Sequence, residues 1–155
     1  MNDLNLRYFK PHEFRGWWDQ MDPALLVLLD RFRARLAPLS PDPGGVPVKI
    51  SPHPRAIGRH DGPDGTSQHN IDKWGEVRAV DVMPMLGRRH RRNAVGIAID
   101  VGFTGVGVYP DWEPRWGLHL DVRHADLATW SGIKIWDREK QKVVQAYRGL
   151  EAGLS

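Results

Sequence analysis

The chain contains no cysteine. That absence excludes disulfides, cysteine-liganded zinc and a cysteine nucleophile, so any metal must rest on His, Asp or Glu. It also lacks any apolar run near the ~20 residues of a membrane-spanning helix, so no membrane insertion is expected. The first residues, MNDLNLRYFKPHEF, hold no apolar stretch of signal-peptide length. Synthesis in the cytoplasm, with passage to any outer site by another route, is the expectation. Internal repeats and low-complexity tracts are missing too.

What remains is 155 residues, enough for one domain over 1–155 that buries roughly 68–70% of its unfolded surface. Net charge is +3. Part of the excess sits in Arg88-Arg89-His90-Arg91-Arg92. The run suits either an anionic partner or a solvated helix face. It is short and no recognition motif accompanies it, so nucleic acid is not the expected partner. Seven tryptophans are many for this length. Most are expected half-buried, and some can line a groove.

Asp22-Pro23 opens a helix, with Asp22 as cap and Pro23 at the first position. Leu25, Leu28, Leu29, Phe32 and Leu36 then form one apolar stripe. Prolines 38, 41 and 43 with Gly44-Gly45 end it. Residues 46–51 read as a strand, 53–66 as a long polar loop of the kind that is usually functional or mobile. Residues 77–82 read as a strand and 88–101 as a helix stopped by Gly102. Residues 105–109 and 118–122 read as strands joined by PDWEPRWG. A further strand is expected at 132–137 and a helix at 139–150. This order predicts an α+β fold, a small antiparallel sheet flanked by helices.

Strand alternation makes two of these segments unusual. Gly117, His119 and Asp121 share one face, and Leu118, Leu120 and Val122 share the other. Ala79 and Asp81 likewise oppose Val80 and Val82. Each strand thus offers a ligand-type side chain from a polar face, and His69 comes from the loop before 77–82. A His/Asp/His set suits Zn2+, which takes imidazole nitrogen and carboxylate oxygen at about 2.0–2.2 Å. Three protein ligands leave a fourth position for water, the mark of a catalytic zinc site. Asp72, three residues after His69, is a rival ligand. His53, His60, His90 and His124 lie in polar stretches and are expected at the surface. Tyr109, Trp112 and Trp116 can wall a groove or pack in the ordinary way.

Ser67-Gln68-His69, Gly75 and Ala79-Val80-Asp81-Val82 resemble the S-x-H…G-x-A-x-D signature of the zinc D-Ala-D-Ala carboxypeptidase family. That family includes phage endolysins that cut the L-Ala–D-Glu bond and has the hedgehog/DD-peptidase fold. Gly105 to Pro110 (GVGVYP) and Leu118 to Arg123 (LHLDVR) look like its later G-x-G-x-Y-P…H-x-D-x-R block. KISPHPR (49–55) resembles its strand-and-loop segment, with Arg55 at the arginine. The likeness runs from about residue 9 to 125.

The resemblance implies that His69, Asp81 and His119 hold zinc. It implies that Arg55 pairs with a carboxylate of a peptidoglycan stem peptide, and that Ser67 and Gln68 line the site. The gap between the first histidine and the aspartate is longer here, with 70–76 as the added stretch. Many members also carry an acid two or three residues before the last histidine, where this chain has Trp116 and Gly117. The general base is then Asp121, Glu113 or Asp111, and Asp121 can equally be a partner that orients an imidazole. The expectation is a zinc-dependent peptidase of stem peptides, a phage lysis or virion-associated enzyme with other virion proteins as possible partners. The alternative is a non-catalytic phage tail-tip module that keeps the fold.

Overall fold

The computed structural model describes residues 2–155. The helices are α1 (Pro23–Leu36), α2 (Ile71–Trp74), α3 (Arg91–Val101) and α4 (Leu150–Leu154). The strands are β1 (Val48–Ile50), β2 (Ala79–Pro84), β3 (Gly105–Tyr109), β4 (Gly117–Asp121), β5 (Ala128–Asp137) and β6 (Lys142–Arg148). They form one six-stranded sheet in the order β1-β2-β4-β3-β5-β6. The fold is α+β, as the element order predicts.

The sheet is mixed rather than antiparallel, because β3 and β5 run parallel. β4 and β5 are successive in the chain yet lie on opposite sides of β3. The link 122–127 only has to cross one strand, about 10 Å at sheet spacing, which six residues span with ease. A second correction concerns the C-terminal region. The expected helix over 139–150 is instead β6 followed by the short α4. Val143, Val144 and Tyr147 favour strand over helix, and β6 pairs residue by residue with β5 from Ser131↔Arg148 to Asp137↔Lys142. The turn between them holds Gln141 at φ 55.

Asp22 caps α1 by accepting from Ala24 N at 2.9 Å. Leu25, Leu29, Phe32 and Leu36 of the stripe are fully buried. Leu28 lies at its edge, half-buried, and Leu26 is inside instead. This face joins Ala94, Val95 and Ala98 of α3 in one apolar cluster with Val80, Val82, Val106, Val108, Leu118 and Leu120 of the sheet. One face of the central strands therefore belongs wholly to the core, and every polar side chain they carry must stand on the other.

The basic run is partly structural. Arg91 is buried and donates to Ser155 O at 2.8 Å, while both Nη atoms of Arg92 meet Glu151 at 2.8 Å. These contacts tie α3 to α4. Among the described residues, no helix is long and apolar enough to cross a membrane.

Candidate metal centre

Two adjacent strands and one loop build the site. In the β2–β4 pair, Asp81 lies directly opposite His119, and in β3–β4 Gly107 lies opposite His119 and Gly105 opposite Asp121. Period-2 alternation puts all of these on the face away from the core. His69 arrives from a loop organised by Asn70, which is fully buried. Its Nδ2 donates to Gly62 O (2.7 Å) and Gly65 O (2.8 Å), and its Oδ1 accepts from Asp61 N (3.0 Å) and Asp72 N (3.2 Å). The longer stretch after His69 is α2, capped by Asn70 and ended by Gly75 at φ 75. The added residues are absorbed in one helical turn, and Asp81 still reaches the strand position opposite His119.

The three candidate ligands converge. His69 Nε2 lies 3.2 Å from Asp81 Oδ1 and 3.2 Å from His119 Nδ1. His119 Nδ1 lies 3.1 Å from the same Asp81 oxygen. A tetrahedral ion with ligands at about 2.0–2.1 Å holds them about 3.3 Å apart, so this triangle has the dimensions of one face of such a site.

The ring nitrogens are fixed as well. His69 Nδ1 lies 2.6 Å from Ile57 O, and a carbonyl only accepts, so Nδ1 carries the hydrogen and Nε2 presents its lone pair. His119 Nε2 lies 2.7 Å from Asp121 Oδ2. Asp121 is fully buried and is held ionised by Arg123, which donates to it through Nε at 2.9 Å and through its backbone N–H at 3.1 Å. Nε2 therefore donates, and Nδ1 faces Asp81. Both imidazoles are oriented by outer partners in the manner of histidine metal ligands. This donor set fits a zinc-type ion.

Charge follows the same geometry. Burial works against ionised Asp81, yet the two imidazoles against its Oδ1, His119 at 3.1 Å and His69 at 3.2 Å, outweigh it and bring its pKa to about 2. Burial also opposes a charged His119, but Asp121 and Asp81 overcome it and raise the imidazole to about 9. Asp121, also opposed by burial, is held well below the carboxylate range by Arg123 and His119.

These contacts correct the role expected of Asp121. It stands behind His119, enclosed and paired, and cannot exchange protons with the cavity, so it is a positioning residue. Asp121→Ala is expected to weaken metal binding by about 10–100-fold, read by competition with a chromogenic chelator. Unaltered affinity would show that His119 needs no such partner.

The cluster lies at the base of a cavity of about 740 Å³. Ser67 and Gln68 line it as expected, with Ser67 Oγ accepting from His69 N at 3.2 Å and Gln68 Oε1 buried without a partner. Tyr109 lines it too, stacked on Trp112 at 4.2 Å and accepting from Trp130 Nε1 at 2.9 Å. Burial raises this phenol to about 12, above what the Trp130 bond takes back, so it stays protonated. Glu113 is exposed at the mouth, and apart from Asp81 it is the one carboxylate among the lining residues. Asp111 is turned away and accepts from Lys134 N at 2.8 Å. Trp116 is buried, donating to Leu86 O at 2.9 Å, and is packing rather than groove.

Arg55 is a further correction. It is exposed, pairs with Asp61 at 2.8 Å and does not line the cavity, whereas Arg59 does. The turn closed by Ala56 N to His53 O points Arg55 outward, and the bridge Arg59↔Asn70 brings the chain back beside His69. Asp72 is no rival ligand. It accepts from Gly62 N at 2.9 Å and meets His60 Nδ1 at 2.8 Å, away from the cluster. His53, His60 and His124 are exposed, and His90 is half-buried against Arg89. His53 reaches the cavity rim.

Sequence reasoning missed Trp130, Lys134, Gln145 and Tyr147, which complete the wall. The last two were hidden by the helix expected over 139–150. Trp130 had a signal in Gly107: a Cβ there would enter its indole, so that glycine leaves the space the ring fills. Gly105 makes the same room for the Asp121 carboxylate.

No protein-family model matches the chain, and no curated protein or solved structure matches it significantly. A second gathering of ligand-type groups, Asp22, Glu76 and His124, is half open to solvent, and Asp22 serves there as the α1 cap. The buried His69–Asp81–His119 cluster, which heads an open cavity, is the candidate metal centre.

Proposed function

We propose that this protein is a zinc-dependent hydrolase of peptide bonds, acting on peptidoglycan stem peptides, with a hedgehog/DD-peptidase-like fold. The observation that carries the reading is the convergence of two imidazole nitrogens and one carboxylate oxygen within 3.2 Å of one another, below a cavity large enough for a peptide segment. His69, Asp81 and His119 would hold the ion. Zinc in such a setting supplies Lewis acidity toward a carbonyl and a water. Glu113 is the carboxylate placed to accept a proton at the cavity mouth. Tyr109, kept neutral, can donate from its hydroxyl to a substrate oxygen. Arg59 and Lys134 bring positive charge to the lining, which suits the carboxylates of an acidic peptide. The motif resemblance supports stem peptides as substrate and a phage lysis or virion role at the cell wall.

Metal analysis of the purified protein, followed by mass spectrometry of digested muropeptides, tests the reading. One ion per chain and chelator-sensitive cleavage are expected. The alternative, a non-catalytic tail-tip module, is motivated by Trp116 and Gly117 standing where an acid is common. A protein that binds zinc stoichiometrically but leaves every muropeptide intact would establish that alternative.

A further inference from the structure

The site face does not end at the cavity. In the β5–β6 pair, Gly132 lies opposite Tyr147, Lys134 opposite Gln145, and Trp136 opposite Val143. Alternation places these six on one face. It is the face of the metal cluster, since a Cβ on Gly132 would enter the Tyr109 ring. Tyr147, Gln145 and Lys134 line the cavity, while Trp136 and Val143 continue the surface beyond it. Tyr147, Trp136 and Val143 are 62%, 58% and 58% exposed, and with Leu127 they are the large apolar side chains left open among the described residues. Gln145 Nε2 donates to Tyr147 Oη at 3.1 Å, and Lys134 has no ion-pair partner among the described residues.

Charge is concentrated in the same hairpin. Residues 134–148 hold five Lys or Arg against two acids, but Lys142 and Arg148 pair on the opposite face, so Lys134 is the one charged side chain on the platform. A second copy docked face to face would bring a second Lys134 and no carboxylate to meet the first, so self-association through this face is disfavoured. An anionic partner is favoured. The platform runs four residues along β5, about 13 Å. It sets aromatic faces at both ends with an amide and an ammonium between them. Aromatic faces suit the C–H faces of sugar rings, and the amide and ammonium suit hydroxyls and carboxylates.

We propose that the outer β5–β6 face is a docking platform for an anionic glycan strand, with Trp136 and Tyr147 as stacking surfaces. The strand's attached peptide then enters the cavity. The peptide half of this statement rests on the peptidase reading, and the glycan half does not.

The test is co-sedimentation of the full chain with insoluble peptidoglycan, which reads binding without requiring cleavage. Trp136→Ala combined with Val143→Ser changes only exposed side chains outside the cavity. It is expected to weaken sedimentation about tenfold, while zinc stoichiometry and the circular-dichroism melting curve stay the same. Lys134→Gln, a separate variant, is expected to bind less than the native chain by a factor that grows as salt is lowered, where charge attraction is strongest. Undiminished binding by both variants overturns the platform. So does a dimer of the native chain that the double change dissociates, or tighter binding of single-stranded DNA than of peptidoglycan. Binding that depends on Trp136 in a protein that cleaves nothing leaves the platform standing and removes the peptidase reading.

Discussion

His119→Ala is expected to lose stoichiometric metal and, with it, all muropeptide cleavage. Four-ligand zinc sites bind with about 10–16 kcal/mol at neutral pH. One ligand's share is then about 2.5–4 kcal/mol, or roughly two to three orders of magnitude in affinity. His119 Nδ1 lies within 3.2 Å of both other candidate ligands. The fold should survive. Leu118 and Leu120, on the opposite face, keep their place in the core, and Arg123 still neutralises Asp121. Equilibrium dialysis against zinc, alongside a thermal melt, separates lost binding from lost structure. A folded His119→Ala protein retaining one tightly held ion would place the metal elsewhere.

The same centre sets a pH dependence. Between its two carboxylates His119 holds a proton up to about pH 9, above the 6.5 of a free imidazole. A metal must displace that proton. Apparent affinity should therefore rise about tenfold per pH unit through neutrality and level off near pH 9. Without metal the sign is opposite. The stabilisation from charged His119 is complete below pH 6.5 and is lost as pH rises through about 9. Calorimetry in buffers of different ionisation enthalpy counts the proton released. Binding that releases none contradicts a protonated His119.

Glu113→Gln is expected to lower kcat on muropeptides by about 10²–10⁴-fold, the range for a lost general base, with metal affinity unchanged. The geometry leaves few other bases. Asp81 is a candidate ligand, Asp121 is sealed behind His119, and Asp111 is held by the β5 backbone. Glu113 alone presents a carboxylate from the exposed rim. Single-turnover kinetics with metal analysis on the same sample distinguishes a lost base from a lost ion. Full turnover by Glu113→Gln would exclude it from the chemistry.

Two of the three candidate ligands, Asp81 and His119, were legible from strand alternation, while His69, on a loop, rested on the motif resemblance. Leu118 and Leu120 must face the core, which forces His119 to the other side. Val80 and Val82 do the same for Asp81. Asp121 was legible only as an alternative, since spacing shows that it shares a face with His119 but not that Arg123 encloses it. The motif resemblance points to Arg55 alone and gives no signal for Arg59. Both sit in one polar loop, and what separates them is the bridge to Asn70, a contact without a periodic signature. The β5–β6 hairpin was misread because KVVQAYR has mixed helical and strand character in isolation. Its strand form depends on partners in 131–137. The parallel β3–β5 pair likewise depends on where β5 docks, which nothing local to the chain encodes.

Gly105 and Gly107 contribute no ligand, proton or charge, yet the Asp121 carboxylate and the Trp130 indole occupy the volume their side chains would need. A survey of substitutions would therefore score both as indispensable while finding no chemistry at either. In this protein, tolerance to change measures how closely the backbone is approached. The most restricted positions of the bed beneath the candidate metal centre are the ones that present nothing at all.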